Sequence, residues 1–395
     1  MNYILFGDQS RNNLLPLTYL RPVADIRIGI LTIREKWEMV LKTKTSTLTE
    51  RYLEKKFPVV KDKDNILING SVCPTPELVK EIEGLKSNQA LVNSDSIIAL
   101  HLKEEDLDNT GEMDIEGIDE VETHLDIKKI NNVWEIFSKN GDAIRNDFEL
   151  LTKNRKSEKL SDTNGVLGQE NVFIEKGAKV EFATLNASTG PIYIGKDAEI
   201  MEGAVIRGPF ALCNNSTVKM SAKIYGPTTI GPHCKVGGEI NNSVFFGYSN
   251  KAHDGFLGNS VIAEWCNLGA DTNNSNLKNS YDNVKLWNYP QSTFVSTGRQ
   301  FCGLIMGDHS KTGINTMFNT GTVVGVNANI FGSGFQRNFI PSFSWGGTKG
   351  FKTFNIKKAL EIAEMVYSRR NLGFDKIDKD ILQYVFELTS GNRRL

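Results

Sequence analysis

One histidine stands where an acid–base group is useful. His253 lies in the polar step Ser249-Asn250-Lys251-Ala252-His253-Asp254-Gly255-Phe256-Leu257-Gly258, and imidazole is the side chain that exchanges a proton near neutral pH. At an exposed bend it is placed to take a proton from an incoming amine or hydroxyl. Acyl transfer to an amine needs such a base, because a protonated ammonium cannot attack a thioester. The same residue also reads as a surface histidine satisfied by a neighbouring carboxylate such as Asp254.

What must hold His253 is a repeat. From Ile194 to Val236 a bulky aliphatic residue recurs at every sixth position: Ile194, Ile200, Ile206, Leu212, Val218, Ile224, Ile230 and Val236. A helix repeats near 3.6 residues and a strand at 2, so a period of six belongs to a solenoid in which three hexads form one triangular coil. A glycine often follows the aliphatic residue where the chain bends, as in Ile194-Gly195, Ile230-Gly231 and Val236-Gly237. The repeat continues from Val166 to about Ile340, with a second register through Phe256, Ile262 and Leu268 and a third through Met306, Thr312, Phe318, Val324 and Ile330. A change of register implies residues inserted at a corner, where a solenoid projects functional groups. The largest interruption, Asn273 to Pro290, is polar and long enough to reach a neighbouring subunit.

Bulk properties narrow the class. A chain of 395 residues with net charge -1 has no basic footprint for nucleic acid. Mean hydropathy is -0.30, and the start, Met1-Asn2-Tyr3-Ile4-Leu5-Phe6-Gly7, has neither a basic segment nor a long apolar run, so no signal peptide or membrane span is expected. The five cysteines, Cys73, Cys213, Cys234, Cys266 and Cys302, are dispersed and odd in number. That pattern favours a reducing cytoplasm over a disulfide framework or structural zinc.

Ahead of the repeat, Tyr3 to Phe6 predicts a buried strand, followed by a polar loop over residues 7–13. Ile30, Ile33, Trp37 and Val40 share one helix face, and Ile66 to Ile68 predicts another strand. Ten carboxylates without a lysine or arginine lie between Glu104 and Glu122, scattered as on a solvated loop rather than set at ligand spacing. Val133, Ile136, Phe137, Ile144, Phe148 and Leu151 fall near helical spacing. Behind the repeat, residues 355–371 and 376–388 predict two amphipathic helices that close the open end. The expected division is residues 1–130, an α/β domain; 131–160, a helical linker; 161–345, the solenoid; and 346–395, a helical cap.

Several steps carry a resemblance: Glu239-Ile240-Asn241, Lys251-Ala252-His253, Phe256-Leu257-Gly258-Asn259, Leu268-Gly269-Ala270-Asp271-Thr272 and Asn276. They resemble the left-handed parallel β-helix acetyltransferase domain of the bifunctional enzymes that acetylate glucosamine-1-phosphate and uridylylate the product. The resemblance implies His253 as general base, Asn276 holding the acceptor or acetyl carbonyl, and acetyl-CoA lying against Ala270, Thr297 and Ile314. It also implies a homotrimer with sites between solenoids. Where that family places an arginine and a lysine for the sugar phosphate, this chain has Tyr225 and Asn241, and the aromatic after the base is Phe256. Two cations on a phosphate are hard to replace with neutral groups. Lys251, Lys278, Lys223 or Arg207 are the cations left to meet an acceptor.

The front domain resembles the sugar-1-phosphate nucleotidyltransferases through Leu15-Pro16-Leu17-Thr18-Tyr19-Leu20-Arg21-Pro22-Val23. Its loop keeps only Gly7 of the glycines that let backbone N–H groups cradle a phosphate, and Ile68-Asn69-Gly70-Ser71 puts serine where a metal-binding aspartate is usual. A divergent nucleotidyltransferase-like fold follows, with Gly7, Arg11, Arg21, Asp25 and Lys36 the residues to face a nucleotide and Mg2+ needed only if the domain is active. Arg21 or Asp25 also reads as a buried structural pair. Together these features point to an acetyl-CoA-dependent acetyltransferase of an amino sugar or sugar phosphate. The lost glycines and cations also fit the alternative of a non-catalytic trimeric sugar-nucleotide-binding or scaffold protein. Hexad solenoids with three zinc-binding histidines also exist, but His233, His253 and His309 are spaced 20 and 56 residues apart, far from that pattern.

Overall fold

The computed structural model describes residues 1–94, 96–107 and 117–394; the centre of the acidic run, residues 108–116, lies outside them. The chain divides into two compact units, the first made of residues 1–14, 20–26 and 31–131 and the second of residues 15–19, 27–30 and 132–395.

The first unit is a mixed six-stranded sheet of β1 (Asn2–Phe6), β2 (Ser46–Leu48), β3 (Asp64–Asn69), β4 (Gln89–Asn93), β5 (Ser96–Lys103) and β6 (Asp119–Glu122), in the order β2-β1-β3-β5-β4-β6. Strands β1 and β3 run parallel, whereas β5 is antiparallel to both of its neighbours. Ile4, Phe6, Leu67, Leu100 and Leu102 form an apolar core on the sheet. The helix Ile33–Leu41 starts later than the spacing of Ile30 implies. Thr32 accepts from Glu35 N–H while the Glu35 carboxylate accepts from Thr32 N–H, and such a capping box fixes the first turn at Ile33. Trp37 fills the core from this helix.

The second unit is a left-handed parallel β-helix with three faces. One face carries six strands, from Gly165–Leu167 to Phe256–Gly258; another carries nine, from Val172–Ile174 to Phe339–Ile340; the third begins with five, from Lys179–Val180 to Asn250–Lys251. All eight aliphatic residues from Ile194 to Val236 are buried in one continuous core, since each coil stacks its inward residue on the one below. Met306, Thr312, Phe318, Val324 and Ile330 are buried as well.

The register changes differ from expectation in cause. Lys235 pairs with Asn250, 15 residues on, and Val244 with Val261, 17 on, instead of the 18 between Thr217 and Lys235. Shortened corners, not insertions, therefore produce the first shift. With that count Leu257 points inward and Phe256 outward, which corrects the placement of Phe256 in the core. The second shift is a true excursion: Val261 pairs with Ile305, 44 residues on. It leaves after Asn276, forms the antiparallel hairpin Lys285–Asn288 and Thr293–Ser296, and returns where Cys302 N–H donates to Asn276 O at 2.9 Å. The hairpin packs on its own solenoid, with Trp287 stacked on Phe339 at 4.2 Å.

Two helices, Val133–Ser138 and Asn140–Thr152, pack on the nine-stranded face. The hairpin Ser344–Gly347 and Gly350–Thr353 extends the third face. Behind it the helices Ile356–Ser368 and Lys376–Leu388 are capped by Asn355 and Asp375.

Candidate functional site

His253 lies in the bend between Asn250–Lys251 and Phe256–Gly258, exposed to solvent. The bend needs Gly255, whose φ is +112° and whose added Cβ would strike the backbone of Thr272 and Asp271. In the stacked coils Asn250, Asn267 and Lys311 bridge one another. Three residues further along each coil stand His253, Ala270 and Ile314, so these three form a ladder up one corner. Ala270 is half-buried and Ile314 is 71% exposed. The ladder is thus an imidazole beneath an apolar ledge whose Ala270 carbonyl already accepts from Asn315 N–H at 2.8 Å.

The adjoining face carries the other candidates. Arg207, Tyr225, Asn241 and Gly258 occupy successive strands of one column, and Lys223, Glu239 and Phe256 the next. Asn276 reaches the same place from the coil above: a Cβ on Gly258 would lie 2.6 Å from both Asn276 Nδ2 and the Phe256 ring. One hydrogen of that amide goes to Asn259 Oδ1 at 2.8 Å, which leaves the other for a ligand. Tyr225, Asn241, Phe256 and Asn276 are brought onto one outward face; His253 stands at the entry to its last strand and Asn276 near that strand's exit. Arg207 is the cation next to Tyr225, whereas Lys223 lies 3.8 Å from Glu239.

Two assignments are corrected. Lys251 is not a surface cation for an acceptor. It occupies the inward hexad position between Phe245 and Leu257, is 0% exposed, and its Nζ donates to His253 O at 2.7 Å and Asp254 O at 3.0 Å. Its ammonium therefore holds the bend that carries His253, and its place in the frame became legible only with the shortened corners counted. Thr297 is buried at the base of the excursion hairpin, where its hydroxyl donates to Val284 O at 2.9 Å, away from the Ala270–Ile314 ladder. Lys278 donates to Asn283 O at 3.1 Å within the excursion, which uses one of its three N–H groups.

Burial pushes the Lys251 ammonium down to about 8, against the opposing pull of Asp254 and Asp271. Since the unfolded chain binds this proton up to the usual lysine range near 10.4, it holds more protons than the folded chain between about pH 8 and 10.4, and stability rises with pH across that window. Below it the deficit is constant. Urea unfolding of wild type and Lys251→Met is expected to show the wild type gaining on the variant from pH 7.5 to 10; a constant gap would mean that burial does not depress the Lys251 ammonium.

His233 and His309 are elsewhere. With Tyr248 and Trp265 they form a stack up a second corner, at centroid separations of 4.7, 4.3 and 6.2 Å. Among the described residues no group of three His, Cys, Asp or Glu is placed to hold a metal.

In the first unit the ends of β1 and β3 meet in a polar cluster. Lys129 Nζ lies 2.6 Å from Asp8 Oδ2 and 3.1 Å from Ser96 Oγ, and Asn69 Nδ2 is 2.9 Å from the same carboxylate. Burial alone would raise the Asp8 carboxyl, but hydrogen bonds from Lys129, Ser10 and Asn69 outweigh it and hold it below the ordinary carboxylate range. Both Asp8 oxygens are taken, and Ser71 donates to Asn69, so the described residues do not fit Mg2+ here. Asp25 forms a two-point pair with Arg34, at 2.6 and 3.0 Å, rather than facing a nucleotide. Arg11 is neutralised by Glu50 at 2.6 Å and bonded to Tyr52 Oη at 2.8 Å. Arg21 and Lys36 are buried, and Gly7 is exposed. Lys129 and Arg34 had no sequence signal: Lys129 lies 121 residues from Asp8.

Residues 3–156 match the sequence model of the sugar nucleotidyl transferase family. The chain is 33% identical over 144 residues to a bifunctional sugar-1-phosphate nucleotidylyltransferase/acetyltransferase of Sulfurisphaera tokodaii, covering 36% of this chain and 35% of the relative. It is 30% identical over 202 residues to the bifunctional protein GlmU of Methanococcus aeolicus, covering 51% of this chain and 44% of the relative. The chain thus spans less than half the length of these curated relatives. Among solved structures, a UDP-N-acetylglucosamine acyltransferase from Campylobacter jejuni covers 58% of this chain and 96% of its own at 13% identity, with a TM-score of 0.25, a likeness too slight to bear on function.

Proposed function

We propose that this relative of the bifunctional nucleotidyltransferase/acetyltransferases is an acetyl-CoA-dependent acetyltransferase of an amino sugar or sugar phosphate, working in the cytoplasm as a homotrimer. The supporting observation is the exposed His253 imidazole, set beneath the Ala270–Ile314 ledge and at the edge of the face bearing Phe256 and Asn276. In this reading the pantetheine arm lies along the ledge. His253 takes a proton from the acceptor amine or hydroxyl as it attacks the thioester carbonyl, and the free Asn276 N–H steadies the oxyanion. The C–S bond then breaks, and CoA leaves as the thiol with the proton that His253 took.

The test is thiol release from acetyl-CoA against a panel of amino sugars and their phosphates. Turnover on none of them would end the proposal and favour a non-catalytic sugar-nucleotide-binding protein. If the acceptor is phosphorylated, Arg207 is its cation. Arg207→Ala is then expected to raise KM for phosphorylated acceptors by about 10-fold or more, the worth of one charge-assisted hydrogen bond, and to leave unphosphorylated ones unchanged. Equal effects on both would exclude that contact. The front domain, with Asp8 bound to Lys129 and no cradle of glycines, is proposed to keep the nucleotidyltransferase fold without its turnover. Pyrophosphate release from a nucleoside triphosphate and a sugar-1-phosphate with Mg2+ would overturn this.

A further inference from the structure

A cavity of about 450 Å³ opens between the third solenoid face and the end of the helix Ile356–Ser368. Its floor is a ladder of outward residues on four consecutive coils, Lys235, Asn250, Asn267 and Lys311. Its far wall is Arg369 and Arg370. The wall is fixed, because Tyr367 of the same helix stacks on Trp265 at 4.0 Å. Four cations thus face one cavity whose lining includes no carboxylate among the described residues, and none of the four has an ion-pair partner there. Lys311 donates only to the His309 carbonyl, at 2.7 Å.

Like charges facing one cavity repel one another, and an anion that joins them relieves the repulsion. A single phosphate carries at most two charges. The lysines stand three strand spacings apart, roughly 14 Å along the ladder, with both arginines opposite. Four cations over that span exceed what one phosphate can meet, and the higher charge of a diphosphate matches them better. Asn250 adds a second requirement: its Oδ1 is buried with no hydrogen-bond partner, and a deprotonated phosphate oxygen cannot donate to it, whereas a hydroxyl can. The faces of Trp265 are already covered by Tyr248, at 4.3 Å, and Tyr367, so no ring of a ligand stacks there.

We propose that this cavity is a binding site for a small diphosphate ester bearing hydroxyl groups, held by Lys235, Lys311, Arg369 and Arg370 and read by Asn250. The site is independent of acyl transfer at His253 and stands whether or not that chemistry does.

Calorimetric titration of the full chain with inorganic pyrophosphate and with ADP, at low salt and without divalent ions, tests it. Both are expected to bind, ADP the tighter. Lys235→Ala/Arg370→Ala is expected to weaken pyrophosphate at least tenfold, and Asn250→Ala to weaken ADP while sparing pyrophosphate. His253→Ala is expected to leave pyrophosphate binding as it was. Near-UV circular dichroism identifies any variant that has lost its fold; Lys235→Glu alone then repeats the comparison. Absence of pyrophosphate binding in the wild type overturns the proposal. So does unchanged affinity in a folded cation variant, or a loss on His253→Ala, which would move the anion to the other corner.

Discussion

Thiol release from acetyl-CoA in the presence of a competent acceptor is expected to fall by about 10²–10⁴-fold in His253→Ala, the usual worth of a positioned acid–base group, with KM for acetyl-CoA little changed. Stability should hardly move. The imidazole is exposed, and the bend is held from below by Lys251 through main-chain carbonyls that alanine keeps. A surface truncation of this kind costs within about 0.5 kcal/mol. Asn276→Ala is expected to lose about 10²–10³-fold, as for one oxyanion donor, but here the Asn259 carboxamide also loses its partner at 2.8 Å. Rates and unfolding curves of both variants separate the roles. Wild-type turnover in folded His253→Ala would leave the histidine as a solvated corner residue.

The solenoid was legible in the sequence because its physics is local and periodic. One buried aliphatic residue per side of each coil writes a six-residue period, and the residues from Ile194 to Val236 kept it. Coils of 15 and 17 residues broke the count. Counting strictly by six then put Phe256 inside and hid Lys251, a lysine on the inward side whose charge is tolerated because two carbonyls of the His253 bend accept from it. Corner residues write no such period. His233, Tyr248, Trp265 and His309 all adopt φ between 54° and 62°, a conformation that side chains rarely take, and stacking between coils offsets the strain. The spacing of His233 and His309 is far from a zinc pattern but does not reveal that they share a stack. In the first unit the strand Asn2–Phe6 followed from its apolar run. The pairs Asp8–Lys129 and Asp25–Arg34 depend on tertiary placement and left no spacing to read. The same holds for the cavity cations, since Lys235 and Arg370 meet only once the helix Ile356–Ser368 has docked on the corner stack.

A large loss of stability from removing no contact at all is expected in Gly303→Ala. Gly303 is where the excursion re-enters the solenoid, and three hydrogen bonds pin that point: Cys302 N–H to Asn276 O, Gly303 N–H to Asn259 O and Leu304 N–H to Ser260 Oγ, each 2.9 Å. An added Cβ would overlap the Gly258 carbonyl and Asn274 Nδ2 and come within 2.6 Å of Ser260 Oγ. The carbonyl is main chain in a paired strand, so it cannot rotate aside as a flexible side chain does. Relief requires the returning strand to lift, which breaks the pinning bonds, and the cost should be about 3 kcal/mol or more, the upper end for overpacking. Because Gly258 also carries the Phe256 ring and the Asn276 amide against it, thiol release should fall in parallel with stability. Gly373→Ala is the control: nothing lies within 4 Å of its Cβ, and alanine there is expected to be neutral or to stabilise by up to about 1 kcal/mol through the unfolded chain. Urea midpoints of the two variants decide the matter. If Gly303→Ala unfolds with the wild type, the excursion is not anchored at this glycine, and the alignment of Asn276 over Gly258 has some other source.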